Sequence, residues 1–193
     1  MEEEKYREIL AEHKKILRNT DVENPTRLAI CFAGIPCSGK TTIAKKLEQR
    51  YNAVRINSED LGKVVKRTVG ELPDGNSVQN DYQLHLLENW PFVNPVVIID
   101  SGIERKYEKI LEASRGHGLD LFVIRLDAYE DILRERIQKR EGENAPAYFR
   151  SFDRWKREFD SFKNSVEVDF VLDTNGELDL EELYELLDKR LKD

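Results

Sequence analysis

Residues 34–41 read Gly34-Ile35-Pro36-Cys37-Ser38-Gly39-Lys40-Thr41. The stretch meets every fixed position of the phosphate-loop pattern G-x-x-x-x-G-K-[ST]. Glycines at 34 and 39 let successive backbone N–H groups converge on phosphate oxygens. Lys40 brings a point charge to β- and γ-phosphates, and the Thr41 hydroxyl is a ligand for Mg²⁺. A short pattern needs its context. Leu28-Ala29-Ile30-Cys31-Phe32-Ala33 is an apolar run of buried-strand length. From Thr41 on, Ile43, Ala44, Leu47 and Tyr51 recur near one helical face. The helix N-terminus then adds its partial positive charge beneath the phosphates. The plain alternative is a glycine-rich turn before a helix; the flanking strand and helix favour the phosphate loop. Thr42, in the first helical turn, completes the stretch expected to touch nucleotide.

Composition narrows the classes of partner. The chain has 193 residues, a net charge of −7 and two cysteines. That length is enough for one sizeable core. The acidic balance argues against general binding of nucleic-acid backbones or anionic membranes, which needs a basic footprint. It leaves room for a local basic cleft. No run approaches the apolar length of a spanning helix. Met1-Glu2-Glu3-Glu4 lacks the basic and apolar regions of a signal peptide. Cys31 and Cys37 fall on the first strand and in the loop, which suggests neither a disulfide framework nor a zinc site. A cytoplasmic protein is the simplest expectation.

The remaining chain alternates strand and helix. Tyr6, Ile9, Leu10, His13 and Leu17 predict an amphipathic N-terminal helix within residues 1–20. Ala53 to Asn57, Val96 to Ile99, Leu121 to Leu126 and Val168 to Leu172 are the further candidate strands. Ser58 is positioned to cap the helix after the second strand. Residues 70–80 hold Pro73 and Gly75 and predict a loop, and 81–90 a short helix. Residues 142–146 are a break. Leu180, Leu183, Leu187 and Leu191 mark a final helix, over 178–191. The expected fold is three-layer α/β: a five-stranded parallel sheet with helices on both faces. One domain is expected over residues 1–193, with its core in 28–174. Right-handed crossovers then gather Gly34, Glu59, Asp100 and Asp127 at one sheet edge.

Several residues at that edge have chemistry to offer. Asp100 follows four β-branched residues, where a carboxylate can hold a Mg²⁺-bound water opposite Thr41. The plainer role is a helix-capping or turn acid. Glu59 and Asp60 can accept a proton from a substrate hydroxyl, or simply favour the N-terminus of a helix. Arg136 and Arg140 share a helical face and can clamp charge developing on a transferring phosphoryl group. They can equally belong to a solvated basic face. The aromatic stripe of Tyr148, Phe152, Trp155, Phe159 and Phe162 fits a core-facing helix better than a base-stacking platform.

Together these residues resemble the small P-loop kinases related to polynucleotide 5′-kinase, zeta toxin and adenylylsulfate kinase. The resemblance spans residues 28–174. Pro36 and Ser38 match that group's loop, G-x-P-x-S-G-K-[ST]. Ile56-Asn57-Ser58-Glu59-Asp60 is similar to I-N-x-D-D, which implies Glu59 at the position of the general base, with Asp60 one residue away. Glu59 departs from the usual Asp. Gly62 stands where the group carries a substrate-gripping Arg. Asp100-Ser101-Gly102 resembles D-[AT]-[TN], and Arg136-x-x-x-Arg140 the lid segment R-x-x-x-R. The resemblance also implies that the loop at Thr174 and Asn175 lies by the adenine. It implies an ATP- and Mg²⁺-dependent kinase acting on a hydroxyl acceptor: a nucleotide, a small metabolite or a nucleic-acid 5′ end. The rival expectation is a nucleotide-gated ATPase or binding module that acts through a protein partner.

Overall fold

The structure is a computed structural model that describes residues 3–16, 28–70, 83–85, 87–88 and 96–192. Its centre is β1 (Leu28–Ala33), in which every residue is buried. Leu28, Ile30 and Phe32 pack into one apolar cluster, and Cys31 and Ala33 into another on the opposite face. A strand buried on both faces belongs to a parallel sheet covered by helices. Five strands make that sheet: β1, β2 (Val54–Asn57), β3 (Val96–Gly102), β4 (Asp120–Asp127) and β5 (Phe170–Asp173). All are parallel, in the order β2-β3-β1-β4-β5.

Helices cover both faces. On one side, α2 (Lys40–Tyr51) buries Ile43, Ala44 and Leu47, and α7 (Glu181–Arg190) buries Leu183 and Leu187. On the other lie α3 (Ser58–Val69) and α4 (Tyr107–Gly116), with Leu61, Val64 and Ile110 in the core. The N-terminal helix α1 (Glu3–Ile16) packs on α3, and its Ile9 joins the same cluster. A third cluster forms above the phosphate loop. There α5 (Glu130–Glu141) and α6 (Ala145–Ser165) bury Leu133, Ile137, Phe152 and Phe159 against Ile35. Phe162 reaches the sheet instead and meets Tyr107 edge-on at 5.6 Å. The buried members of the aromatic stripe are thus core, and Tyr148 and Trp155 remain half-buried.

Three local expectations are corrected. The cap of α3 is Asn57, whose Oδ1 accepts the N–H groups of Glu59 at 2.9 Å and Asp60 at 3.1 Å. Asn57 keeps the extended backbone that a cap requires, whereas Ser58 is already helical. The fifth strand begins at Phe170 rather than Val168, because the Asp169 carboxylate takes the Val123 N–H at 2.8 Å. The break at 142–146 narrows to a 3₁₀ turn over Gly142–Asn144. Pro146 lies in the first turn of α6, where a missing N–H costs no helical bond. Of the loop and helix expected over 70–90, residues 83–85, 87 and 88 are helical; residues 71–82, 86, 89 and 90 lie outside the described residues.

Candidate active site

The loop between β1 and α2 is shaped by its glycines. Gly39 adopts φ 103°, a conformation that L side chains rarely take. At Gly34 the constraint is space: a Cβ there would lie 2.6 Å from Ser38 Oγ and 3.3 Å from the Leu126 carbonyl oxygen. Cys37 also has positive φ, 69°. Ser38 is buried beneath the loop and donates its N–H to the Ile35 carbonyl at 3.0 Å. Lys40 curls back over the loop, donating to the Gly34 carbonyl and, at 3.0 Å, to the Ile35 carbonyl. Burial lowers its pKa from the ordinary lysine value; the Glu104 and Asp100 carboxylates act in the other direction.

Asp100 ends the buried part of β3, and each of its carboxylate oxygens is committed. Oδ1 accepts the Thr41 hydroxyl at 2.9 Å. Oδ2 accepts Arg55 Nη1 at 2.7 Å and Asn57 Nδ2 at 2.6 Å. Arg55 also donates to Glu48 at 2.8 Å. The result is a fixed carboxylate with one oxygen turned toward the phosphate loop. That arrangement fits Mg²⁺. The ion is held by one or two protein oxygens together with phosphates and waters, not by an all-protein cage. No cluster of three or more His, Cys, Asp or Glu suited to a metal occurs among the described residues. The open glycine cradle beside Lys40 likewise fits a phosphate chain.

The phosphate loop, Lys40, Thr41, Asn57 and Asp100 line a cleft of about 1000 Å³. Most of the expected site residues meet there: Gly34 to Cys37, Gly39 to Thr42, Glu59, Asp100, Arg136 and Arg140. Three do not line it. Ser38 is beneath the loop. Asp60 is directed to Lys63, at 3.0 Å, and to Arg55, at 3.9 Å. Thr174 is buried, and its carbonyl accepts Arg136 Nη2 at 2.5 Å. Arg140 pairs with Glu141 at 2.5 Å and lies 5.7 Å from the centre of the Tyr148 ring.

Behind the cleft, at Arg55, and along it, at Glu104 and Lys106, lie residues that sequence reasoning does not single out. Arg55 has a visible signal, a charge inside the apolar run Ala53-Val54-Arg55-Ile56. Glu104 has none, because its place depends on how the chain turns after β3. Its Oε1 accepts the Gly34 N–H at 2.6 Å. Lys106 is buried and donates to the Gln83 side-chain oxygen and, at 2.9 Å, to Ser101 Oγ. Burial pushes its pKa down to about 8. Also lining the cleft, Arg105 pairs with Glu158 at 2.9 Å, and Arg154 approaches the same carboxylate at 3.9 Å.

Solved structures of low sequence identity share this architecture. A chain of the PezAT chromosomal toxin–antitoxin system of Streptococcus pneumoniae superposes with a TM-score of 0.62. It is 12% identical, and the match covers 100% of this chain and 96% of that one. The APS kinase CysC of Mycobacterium tuberculosis, solved with AMPPNP and APS, gives 0.58 at 12% identity over 88% and 100% of the two chains. Shikimate kinase from Bacteroides thetaiotaomicron gives 0.54 at 18% identity over 83% and 98%. Such likeness establishes a P-loop kinase-like fold. No curated protein matches the chain by sequence. A family model does match, from β1 through the phosphate loop to the end of the aromatic helix, and over residues 30–163 the chain belongs to the AAA domain family.

Proposed function

We propose that the protein is an ATP-dependent kinase that transfers the γ-phosphoryl group to a hydroxyl acceptor: a nucleotide, a small metabolite or a nucleic-acid 5′ end. The observation that carries this reading is the Thr41–Asp100 pair at 2.9 Å, in one cleft with the glycine loop, Glu59 and two arginines. The APS kinase of similar fold was solved with AMPPNP and APS, which supports a nucleotide in this cleft too.

Each residue has a role in the proposed transfer. Lys40 and the loop amides hold the β- and γ-phosphates. Thr41, with Asp100 through a bound water, would hold Mg²⁺, which would neutralise charge on the phosphate oxygens. Arg55 and Asn57 fix Asp100. Glu59 accepts the proton of the acceptor hydroxyl as its oxygen bonds to the γ-phosphorus and the bond to the β–γ bridging oxygen breaks. Arg136 and Arg140 stabilise the charge on the transferring group and exclude water. Thr174 fixes Arg136 through its carbonyl, and the loop at Thr174 and Asn175 would lie by the adenine. Catalysis is mostly positioning and charge stabilisation.

The acceptor is read from charge. Seven Lys and Arg line the cleft against four Asp and Glu, in a chain whose net charge is −7. A compact anionic acceptor such as a mono- or dinucleotide suits a local basic cleft better than a long polymer does. Gly62, where polynucleotide kinases carry an Arg, agrees with that. The proposed enzyme is one cytoplasmic kinase domain over residues 1–193, its core at 28–174 accompanied by helices within 1–20 and over 178–191. No helix among the described residues is long and apolar enough to cross a membrane.

The test is a screen of γ-labelled ATP against nucleosides, nucleotides, 5′-hydroxyl oligomers and small metabolites. Label is expected on one acceptor class and lost in Lys40→Ala. Near-normal transfer by Lys40→Ala would overturn the assignment. Hydrolysis with no labelled acceptor would point to the nucleotide-gated module instead.

A further inference from the structure

Glu104 lies two residues past the end of β3 and touches the phosphate loop at its first glycine. Its Oε1 accepts the Gly34 N–H at 2.6 Å, a short bond of the kind made by ionised acceptors. Its Oε2 rests above Gly102, where an added Cβ would meet it at 2.6 Å. The absence of a side chain at 102 is therefore what lets the carboxylate lie over the strand end. The other end of the Gly34 residue is also held, since its carbonyl accepts Lys40 Nζ. Glu104 exerts the strongest attraction on the Lys40 charge, ahead of Asp100. A carboxylate and an ammonium thus grip the same loop residue from opposite sides.

A triphosphate in this loop needs the same environment: loop N–H donors and the Lys40 charge. A carboxylate and a terminal phosphate repel each other over a few ångströms in a cleft of reduced dielectric. We propose that Glu104 is an internal competitor for the phosphate loop. Its carboxylate holds the Gly34 N–H until the terminal phosphate of ATP displaces it, and so sets how strongly the site distinguishes ATP from ADP. The inference rests on the nucleotide-binding reading above. ADP lacks the terminal phosphate and so leaves the carboxylate nearer its place on Gly34. ATP must move it, and its apparent affinity is scaled down to the fraction of molecules in which Glu104 has released the loop.

Binding titrations of ATP and ADP in the presence of Mg²⁺ test this on the wild type, Glu104→Gln and Glu104→Ala. Gln keeps the volume and an oxygen for the Gly34 N–H while removing the charge, so its fold is preserved. Both variants are expected to bind ATP roughly tenfold more tightly, with a clearly smaller change for ADP. Unchanged or weaker ATP binding in Glu104→Gln overturns the proposal. Equal tightening of ATP and ADP also overturns it, since the carboxylate would then act on the whole loop. A wild type that binds neither nucleotide overturns the nucleotide-binding reading itself, a result distinct from either of these.

Discussion

Arg55 Nη1 donates to Asp100 Oδ2 at 2.7 Å, inside the sheet edge, where the Asp100 side chain is 1% exposed. The pair fixes which oxygen of Asp100 faces Thr41. Arg55 is itself held by Glu48, so the geometry is set from α2 through β2 to β3. Removing the guanidinium leaves a buried carboxylate supported by Asn57 and Thr41 only. Truncating one member of a buried ion pair costs about 3–5 kcal/mol. Arg55→Ala is therefore expected to lower unfolding stability by that order in a urea titration. It is also expected to weaken Mg²⁺-dependent ATP binding. A stability loss below about 1 kcal/mol, typical of exposed pairs, would contradict the structural role.

Gly34 admits no side chain. A Cβ at this position would meet the Leu126 carbonyl oxygen at 3.3 Å, a backbone atom of β4 that cannot turn aside. Gly34→Ala is expected to destabilise by about 1–3 kcal/mol, as overpacking does. Nucleotide affinity should fall further than that, because the loop amides shift. Gly70→Ala is a control: it has positive φ, 83°, but nothing within 4 Å of its Cβ, and it lies far along the chain from the loop. Its effect should be confined to stability. Thermal unfolding and ATP titration of the two variants separate these outcomes.

The fold is legible in the sequence because its signals are local. The apolar runs at Leu28 and Val96, the loop glycines and the spacing of Ile43, Ala44 and Leu47 each specify an element without help from distant residues. The parallel sheet follows from strands that alternate with helices. Thr41, Asp100, Arg136 and Arg140 are legible for the same reason, since they lie at element ends or at helical spacing. Side-chain partnerships are less accessible. Arg55 meets Asp100 across 45 positions of sequence, and Glu104 meets Gly34 across 70. Neither pairing has a periodicity. The cap of α3 is ambiguous by one residue because Asn57 and Ser58 are both good caps, and only backbone geometry separates them.

On the proposed reaction, Glu59 and Asp60 should differ sharply. Glu59 is exposed and lines the cleft, whereas Asp60 is turned toward Lys63 and Arg55. Glu59→Gln is expected to lower kcat by about 10²–10⁴ with little change in ATP affinity, as loss of a general base does. Asp60→Asn should keep kcat within about threefold, since an ion pair open to solvent contributes little. Steady-state kinetics once the acceptor is known would decide between them. A reversed ranking would move the proton acceptor to Asp60.

His13 makes acid stability a test of how α1 is seated. The side chain is fully buried, and burial pushes its pKa from 6.5 down to about 4, with Asp60 acting weakly in the other direction. The unfolded chain therefore binds a proton on His13 between about pH 6.5 and pH 4 while the folded protein does not. Stability from this group is complete above pH 6.5 and is lost as pH falls toward 4. Over that interval the loss amounts to about 3 kcal/mol. Replacing His13 with Leu removes the titration, so the variant's stability should fall less steeply across the same window. The measurement is a pair of urea midpoints at pH 7 and pH 4.5 for each protein. Parallel losses in wild type and variant would mean that the His13 imidazole is reached by water in solution and that α1 does not seal the face of α3.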